Sequence, residues 1–195
     1  TLGTRWIEVG HQVVWGSRHP DAEKSQELAR GTGGKAVSLR EAAESADTIV
    51  LAIPWPVARA TIESIGPLSG KTIVDCTNPL NADFSGLDLG FSTSAAEEIA
   101  SWAPDAHVVK AFNTVSSVTM ADPTYTDQPA SMFFCGNDVQ AKATVQQLAE
   151  DIGLEAVDAG PLSNARLLEP LAMLYIHLAV REGWGSNCAF KILKR

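Results

Sequence analysis

The chain has 195 residues, 45% hydrophobic and 19% charged, with a formal net charge of −8. That length supports one core with at most a small appendage, and the composition excludes a disordered tail or a coiled coil. The acidic balance argues against non-specific nucleic-acid binding and against an anionic membrane surface, but it leaves room for a local basic pocket around a phosphate.

Gly3 to Val9 reads as the end of a helix, with Leu2, Trp6, Ile7 and Val9 apolar and Gly10 in the place of a C-cap glycine. Val13, Val14 and Trp15 then run without a break, as a strand buried on both faces of a parallel sheet does. Gly16 stops it, and Ser17 and Arg18 stand at its carboxyl end, where ligands bind in open α/β sheets. Helix, glycine, strand and polar tip make the second half of a βαβ dinucleotide unit. The first half, a strand and a G-x-G-x-x-G turn, does not precede Thr1. The sequence therefore reads as a fragment whose parent carries about 14 further residues, room for one strand and its turn. Such a fragment is expected to be inactive by itself.

Pro20, Asp21 and Glu23 open a helix expected to run to about Arg30, and Lys35-Ala36-Val37 is a short strand. Ser38 and Glu41 form a capping box for the next helix. Thr48 to Ile53 is the strongest strand and is expected at the sheet centre, closed by Pro54-Trp55-Pro56 and followed by a helix from Val57 to Ile65. Lys71 to Cys76 is a strand ending in Thr77-Asn78-Pro79, and residues 80–90 are loop-like. Ser94 starts a helix, and His107 to Phe112 is a strand ending in Asn113-Thr114. Ser131 to Cys135 is another strand, Asp138 starts a helix to Ile152, and Glu155 to Val157 is the last strand. This alternation means an α/β fold with a doubly wound parallel sheet. Residues 1–160 form that domain and 161–195 a small helical segment. Ser163 to Val180 reads as one long helix with Leu167, Leu168, Leu171, Leu174, Tyr175 and Leu178 on its buried face and Pro170 near its first turn. The length of that apolar surface predicts a homodimer interface.

Cys76, Cys135 and Cys188 are odd in number and widely spaced, which fits reduced cysteines in the cytoplasm. The longest apolar stretch, Leu171 to Val180, is interrupted by His177 and too short to span a bilayer.

A carboxylate after the first strand would favour NAD; Ser17 and Arg18 instead offer donors to a 2′-phosphate, with charge from His19 and Lys24 nearby. A polar loop that merely starts the next helix is the plainer reading of the same residues. Ile53-Pro54-Trp55, Thr77-Asn78-Pro79 and Asn113-Thr114 end three strands on one edge, and together they mark a ligand crevice. No Ser-His-Asp order, HExxH or metal-ligand spacing occurs, and His107 and His177 read as structural. A cofactor would then carry the chemistry.

Gly-His-x-Val-Val-x-Gly-Ser-Arg at Gly10 to Arg18, Ile-Pro-Trp at Ile53 to Trp55, Cys-Gly-Asn-Asp at Cys135 to Asp138, and Asp-Ala-Gly-Pro-Leu-Ser-Asn-Ala-Arg-Leu-Leu-Glu-Pro-Leu at Asp158 to Leu171 carry a family resemblance. The chain resembles the NADPH-dependent reductases of the 8-hydroxy-5-deazaflavin coenzyme F-420, within a wider group of dinucleotide-binding oxidoreductases. The resemblance implies a Rossmann-type domain with a small helical C-terminal part and hydride transfer between nicotinamide and deazaflavin. It implies that Ser17 and Arg18 hold the 2′-phosphate and that Ile53, Pro54 and Trp55 line the nicotinamide; Lys24, Asn78, Ala111 and Asn113 are further candidate cofactor-binding residues. Asn113 and Val115 would flank the second substrate. Archaeal members carry His-Thr-Ile where this chain has Asn113-Thr114-Val115. The expected activity is hydride transfer from NADPH to a planar acceptor, a small redox molecule. The alternatives are a non-catalytic NADP-binding redox sensor, or a reductase of imine or ferric substrates.

Overall fold

The computed structural model describes residues 1–195. Helix α1 (Leu2–Glu8) ends where Gly10, at φ +100°, lets the His11 N–H reach back to the Trp6 carbonyl. Strand β1 (Val14–Ser17) leads through α2 (Glu23–Thr32) to β2 (Lys35–Ser38), and the two strands pair in parallel. α2 begins later than Pro20 because residues 20–22 form a turn, with the Ala22 N–H on the His19 carbonyl. α3 (Leu39–Ser45) carries the expected capping box, Ser38 and Glu41 satisfying each other's backbone N–H groups.

Next come β3 (Thr48–Leu51), a 3-10 turn (Trp55–Val57), α4 (Ala58–Ser64) and β4 (Thr72–Asp75). α5 (Ala95–Trp102), capped by Ser94, precedes β5 (His107–Lys110). A short α6 (Ser117–Ala121) and a small hairpin of β6 (Thr124–Tyr125) and β7 (Gln128–Pro129), none of them legible in the sequence pattern, lead into β8 (Ser131–Gly136). α7 (Val139–Asp151), capped by Asp138, and β9 (Glu155–Asp158) follow.

The strands form a five-stranded sheet of order β3-β4-β5-β8-β9 and a separate β1-β2 pair. β3, β4 and β5 are parallel, while β8 runs antiparallel to β5 and carries β9 with it. The reversal arises because α6 and the hairpin return the chain to the edge that β5 has just left, without a crossover. β3 is therefore an edge strand and not the centre; β4 and β5 hold that place. β1 is not buried on both faces either, since Val14 is exposed and only β2 pairs with it. α3 packs on β1, where a Cβ on Gly16 would crowd Ala42 and Leu39, and α1 reaches the Trp15 ring so closely that a Cβ on Gly3 would overlap it.

Side chains alternate across the sheet. Ile73 and Val108 face one core with Ile62, Ile99, Ala165 and Leu168, whereas Val74 and Val109 face another with Trp6, Val145 and Ile152. Helices thus cover both faces, as a doubly wound architecture requires. Each fully buried aliphatic side chain of this kind stabilises the fold by roughly 1.5–3 kcal/mol.

The last helix departs from expectation. α8 (Ala165–Ile176) begins after a 3-10 turn and passes into a π turn at His177–Arg181, so the helix is not continuous to Val180. Pro170 lies inside α8 and not in its first turn. Its buried stripe is Ala165, Leu168, Glu169 and Ala172, rotated from the stripe that the leucines suggest. Leu167 is 65% exposed and Leu174 49% exposed. Ala165, Leu168, Ala172 and one carboxylate face the core, while Leu167 and Leu174 turn outward.

Candidate functional site

Because β3, β4 and β5 are parallel neighbours, their carboxyl ends open onto one edge. Ile53-Pro54-Trp55, Thr77-Asn78-Pro79 and Asn113-Thr114-Val115 are therefore brought together, as the sequence suggested. Pro54 and Pro56 fix the first segment, and the Trp55 ring stacks on Trp102 with centroids 5.5 Å apart and planes 20° apart. The Arg59 guanidinium lies 5.8 Å over the far ring. One wall of the crevice is thus a flat, immobilised apolar surface.

The floor is polar. The Asn113 side-chain amide donates to Asn78 Oδ1 and to the Leu168 carbonyl, each at 3.1 Å, and the Asn78 amide donates to the Asn113 carbonyl at 3.1 Å. Ala111, fully buried, anchors the segment through its N–H on the Asp75 carbonyl. Phe112 sits in the left-handed region at φ +61°, held by edge-on packing against Trp6 and by its N–H on Met132 Sδ. A bulky residue in that conformation is strained, and such strain gathers at ligand sites. Here it turns the chain sharply between β5 and Asn113.

Thr77 Oγ1, Asn113 Oδ1 and Thr114 Oγ1 are buried with no hydrogen-bond partner. Orphaned polar atoms of this kind carry a desolvation penalty that a ligand can relieve. Two hydroxyls and one amide oxygen, all at the ends of β4 and β5, suit a ligand that bears an amide. Hydroxyls that can donate and an amide oxygen that accepts fit the carboxamide of a nicotinamide.

Behind the floor lies a charged cluster that sequence reasoning missed. Lys110, Asp75 and Glu169 are wholly buried. The Lys110 ammonium meets Asp75 Oδ2 and Glu169 Oε1 at 2.8 Å each and donates to the Thr77 carbonyl at 2.5 Å. Glu169 also accepts the N–H groups of Ala95 and Ala96 at 3.0 and 3.3 Å, and Asp75 Oδ1 accepts that of Thr77 at 2.8 Å. Burial alone would pull the Lys110 pKa down, but the two carboxylates outweigh it and push it up. Burial holds the Glu169 carboxyl above the usual carboxylate range despite Lys110. Desolvation is the main cause, and the nearby Asp75 carboxylate adds a smaller push in the same direction. The sequence signal was a lone charge closing each of three apolar runs, at Asp75, Lys110 and Glu169.

Ser17 ends β1, in the other sheet, Arg18 follows it, and Lys24 lies in the first turn of α2. Ser17 and Lys24 line a hollow of about 190 Å³ with Trp15, Gly16, Ser25 and Leu28. Ser17 Oγ is 3.0 Å from Ser25 Oγ and accepts the His19 N–H at 3.1 Å. The Arg18 side chain is exposed and makes no ion pair; it follows Ser17 in the chain but does not itself line the hollow. No hydrogen bond joins this group to the crevice on β3 to β5.

His107 stands at the amino end of β5, 3.7 Å from Asp138, and His177 pairs with Glu182 at 3.3 Å on the surface. Neither reaches the crevice. No group of three metal-ligating side chains is present, and no helix is long and apolar enough to cross a membrane. Burial pushes the Cys76 thiol up, and the Cys135 thiol up to about 12.

Residues 1–79 match the family model described as NADP oxidoreductase, coenzyme F420-dependent. The chain is 31% identical to the F420-dependent NADP reductase of Methanothermobacter marburgensis over 93% of its own length and 87% of that protein's. It is 33% identical to the metalloreductase STEAP3 of Rattus norvegicus over 89% of this chain but 34% of that protein. A solved structure from Arthrobacter sp. FB24, provisionally described as an F420-dependent NADP-reductase, superposes with a TM-score of 0.89 at 28% identity, covering 99% of this chain and 93% of that one.

Proposed function

The chain belongs to the family of coenzyme F420-dependent NADP oxidoreductases, and from that premise we propose that it passes a hydride between NADP(H) and a planar deazaflavin, coenzyme F420, in the crevice on β3 to β5. The observation that carries the reading is the convergence of three strand ends on one edge, with orphaned polar atoms of Thr77, Asn113 and Thr114 at the ends of β4 and β5.

The cofactor supplies the hydride chemistry; the residues of this chain orient it and exclude water. Arg18 and Lys24 hold the 2′-phosphate as cations, with Ser17 as a neutral donor. Ile53, Pro54 and Trp55 give the nicotinamide a dry wall, kept still by Trp102. Asn78, Ala111 and Asn113 set its amide side, and Asn113 and Val115 border the acceptor. Reducing the acceptor with NADPH takes up one proton along with the hydride, and with no titratable side chain among these crevice residues that proton would come from solvent. The exposed stripe of Leu167 and Leu174, with Val180 beyond it, supports a homodimer. Three free cysteines suit a cytoplasmic home.

The test is NADPH oxidation by the protein offered F420, FMN, a ferric chelate or a cyclic imine in turn. F420 reduction well ahead of the other three is expected. Tight NADPH binding without turnover on any acceptor would instead identify a binding module.

A further inference from the structure

The Lys110–Asp75–Glu169 cluster lies outside the surfaces that the proposed reaction uses, yet it joins β4 and β5, two of the three strands that frame the crevice, to α8 and α5. Lys110 ends β5, Asp75 ends β4, and Glu169 sits in α8 while holding the first N–H groups of α5. The three ammonium protons each have an acceptor: one on Asp75, one on Glu169 and one on the Thr77 carbonyl. The residue before Glu169 offers its carbonyl to Asn113, and the residue after Thr77 is Asn78, which bonds Asn113 in turn. The cluster and the crevice floor are thus two storeys of one scaffold.

Buried ion clusters are a poor way to gain stability, because desolvation offsets most of the attraction and apolar residues of similar volume often do as well or better. A role in folding alone leaves this one without a reason to be charged. What an ionic cluster does better than apolar packing is fix directions, since its bonds have defined donors, acceptors and angles. We infer that Lys110 and Glu169 are positioning residues for hydride transfer: by locking α8 to the ends of β4 and β5, they hold Asn113 and Asn78 in the geometry that seats the two rings. This inference rests on the proposed reaction for its kinetic arm only. The geometric arm, that Glu169 immobilises the segment 111–115, stands apart from it.

The experiment uses Glu169→Gln, which keeps the shape of the side chain but presents an amide to Lys110. A second variant replaces the whole cluster with Asp75→Asn, Lys110→Met and Glu169→Leu, which removes every charge and tests whether apolar packing suffices. In Glu169→Gln the turnover number should fall at least about tenfold, as expected when reacting groups shift by a fraction of an ångström. The NADPH dissociation constant, measured by calorimetry, should stay within about twofold because Arg18 and Ser17 still hold the far end. Amide exchange over 76–79 and 111–115 should speed up roughly tenfold while α7 is unchanged. The triple variant should show the same kinetic loss even where its stability matches the parent.

Wild-type turnover and wild-type exchange in Glu169→Gln would overturn the inference. So would a triple variant that is both fully stable and fully active, which would show the cluster to be interchangeable packing. If Glu169→Gln does not fold, the triple variant decides. A parent that neither binds NADPH nor passes hydride would sink the proposed reaction, while the exchange arm would still judge the positioning role.

Discussion

Asn113 and Asn78 exchange hydrogen bonds across the ends of β5 and β4: the Asn113 amide donates to Asn78 Oδ1 at 3.1 Å, and the Asn78 amide donates to the Asn113 carbonyl at 3.1 Å. The same Asn113 amide also reaches the Leu168 carbonyl of α8. Asn113→Ala therefore strips a donor from two acceptors at once, one of them buried. Its expected cost is roughly 1–3 kcal/mol, the penalty of leaving such groups unpaired. Urea denaturation would read this as a lower midpoint with an unchanged slope, and an unchanged midpoint would mean that water replaces the lost amide.

Lys110→Met should be among the most damaging single changes in the chain. It leaves the buried carboxylates of Asp75 and Glu169 facing each other without a cation. Breaking one side of a buried pair typically costs about 3–5 kcal/mol. Adding Asp75→Asn and Glu169→Leu should restore more than half of the loss, since the residual charges go too. A double-mutant comparison by chemical denaturation checks both statements, and full additivity would contradict the coupling.

Much of this was legible in the sequence, for identifiable reasons. Ser38 with Glu41, Ser94 and Asp138 marked helix starts because a capping side chain is a local device needing no tertiary partner. The three polar strand ends of the crevice were found because parallel strands must align their carboxyl ends. The reversal at β8 was not visible, since α6 and the hairpin are too short to leave a periodic trace. The face of α8 was misjudged for a different reason. Its buried stripe runs through alanines and Glu169, and hydrophobicity alone ranks leucines above them. Burying Glu169 depends on Lys110, which lies 59 positions earlier, and no local pattern reports such a partner. The edge position of β3 escaped notice because its apolar run suits a central strand equally well.

Two carboxylates should bend the stability curve in opposite directions with pH. Glu97 takes two hydrogen bonds from Arg166, at 2.8 and 2.7 Å, and these hold its carboxyl below the usual range. A depressed folded pKa contributes stability above the ordinary glutamate value of about 4.3 and loses it as pH falls through the folded value. Glu169 is the reverse case, its folded pKa raised by burial. Its contribution is complete below the ordinary value and is lost as pH rises through the folded one. Thermal melts from about pH 3 to 9 should therefore show Glu97→Gln flattening the acid limb, and Glu169→Gln flattening the limb above the glutamate range. The same limb flattened by both would contradict the assignment.

Leu167 and Leu174 lie two turns apart on the outer face of α8, both exposed. If that face is a homodimer seam, Leu167→Asp should convert the protein to monomer at micromolar concentration without lowering its melting temperature. Light scattering on parent and variant gives the answer. A parent that is already monomeric would leave the exposed leucines as ordinary surface.

The sharpest prediction concerns the choice of cofactor. Arg18 is exposed and without an ion-pair partner, next in the chain to Ser17, which lines the hollow with Lys24. A free guanidinium there can bind a 2′-phosphate through two parallel N–H bonds, a geometry that lysine lacks. Hydrogen bonds to charged groups contribute roughly 1.5–3 kcal/mol, and 1.4 kcal/mol is tenfold in a binding constant. Arg18→Ala should raise the NADPH Michaelis constant by about 10- to 100-fold. The NADH constant should hardly move, because NADH has no phosphate for the arginine to release. Ser17→Ala should act in the same direction but less, since its hydroxyl is neutral and already shared with Ser25 and the His19 N–H. Turnover at saturating cofactor should persist in both variants, the adenosine end being remote from the transferred hydride. Equal weakening of NADH and NADPH by Arg18→Ala would show that Arg18 shapes the loop and does not read the phosphate.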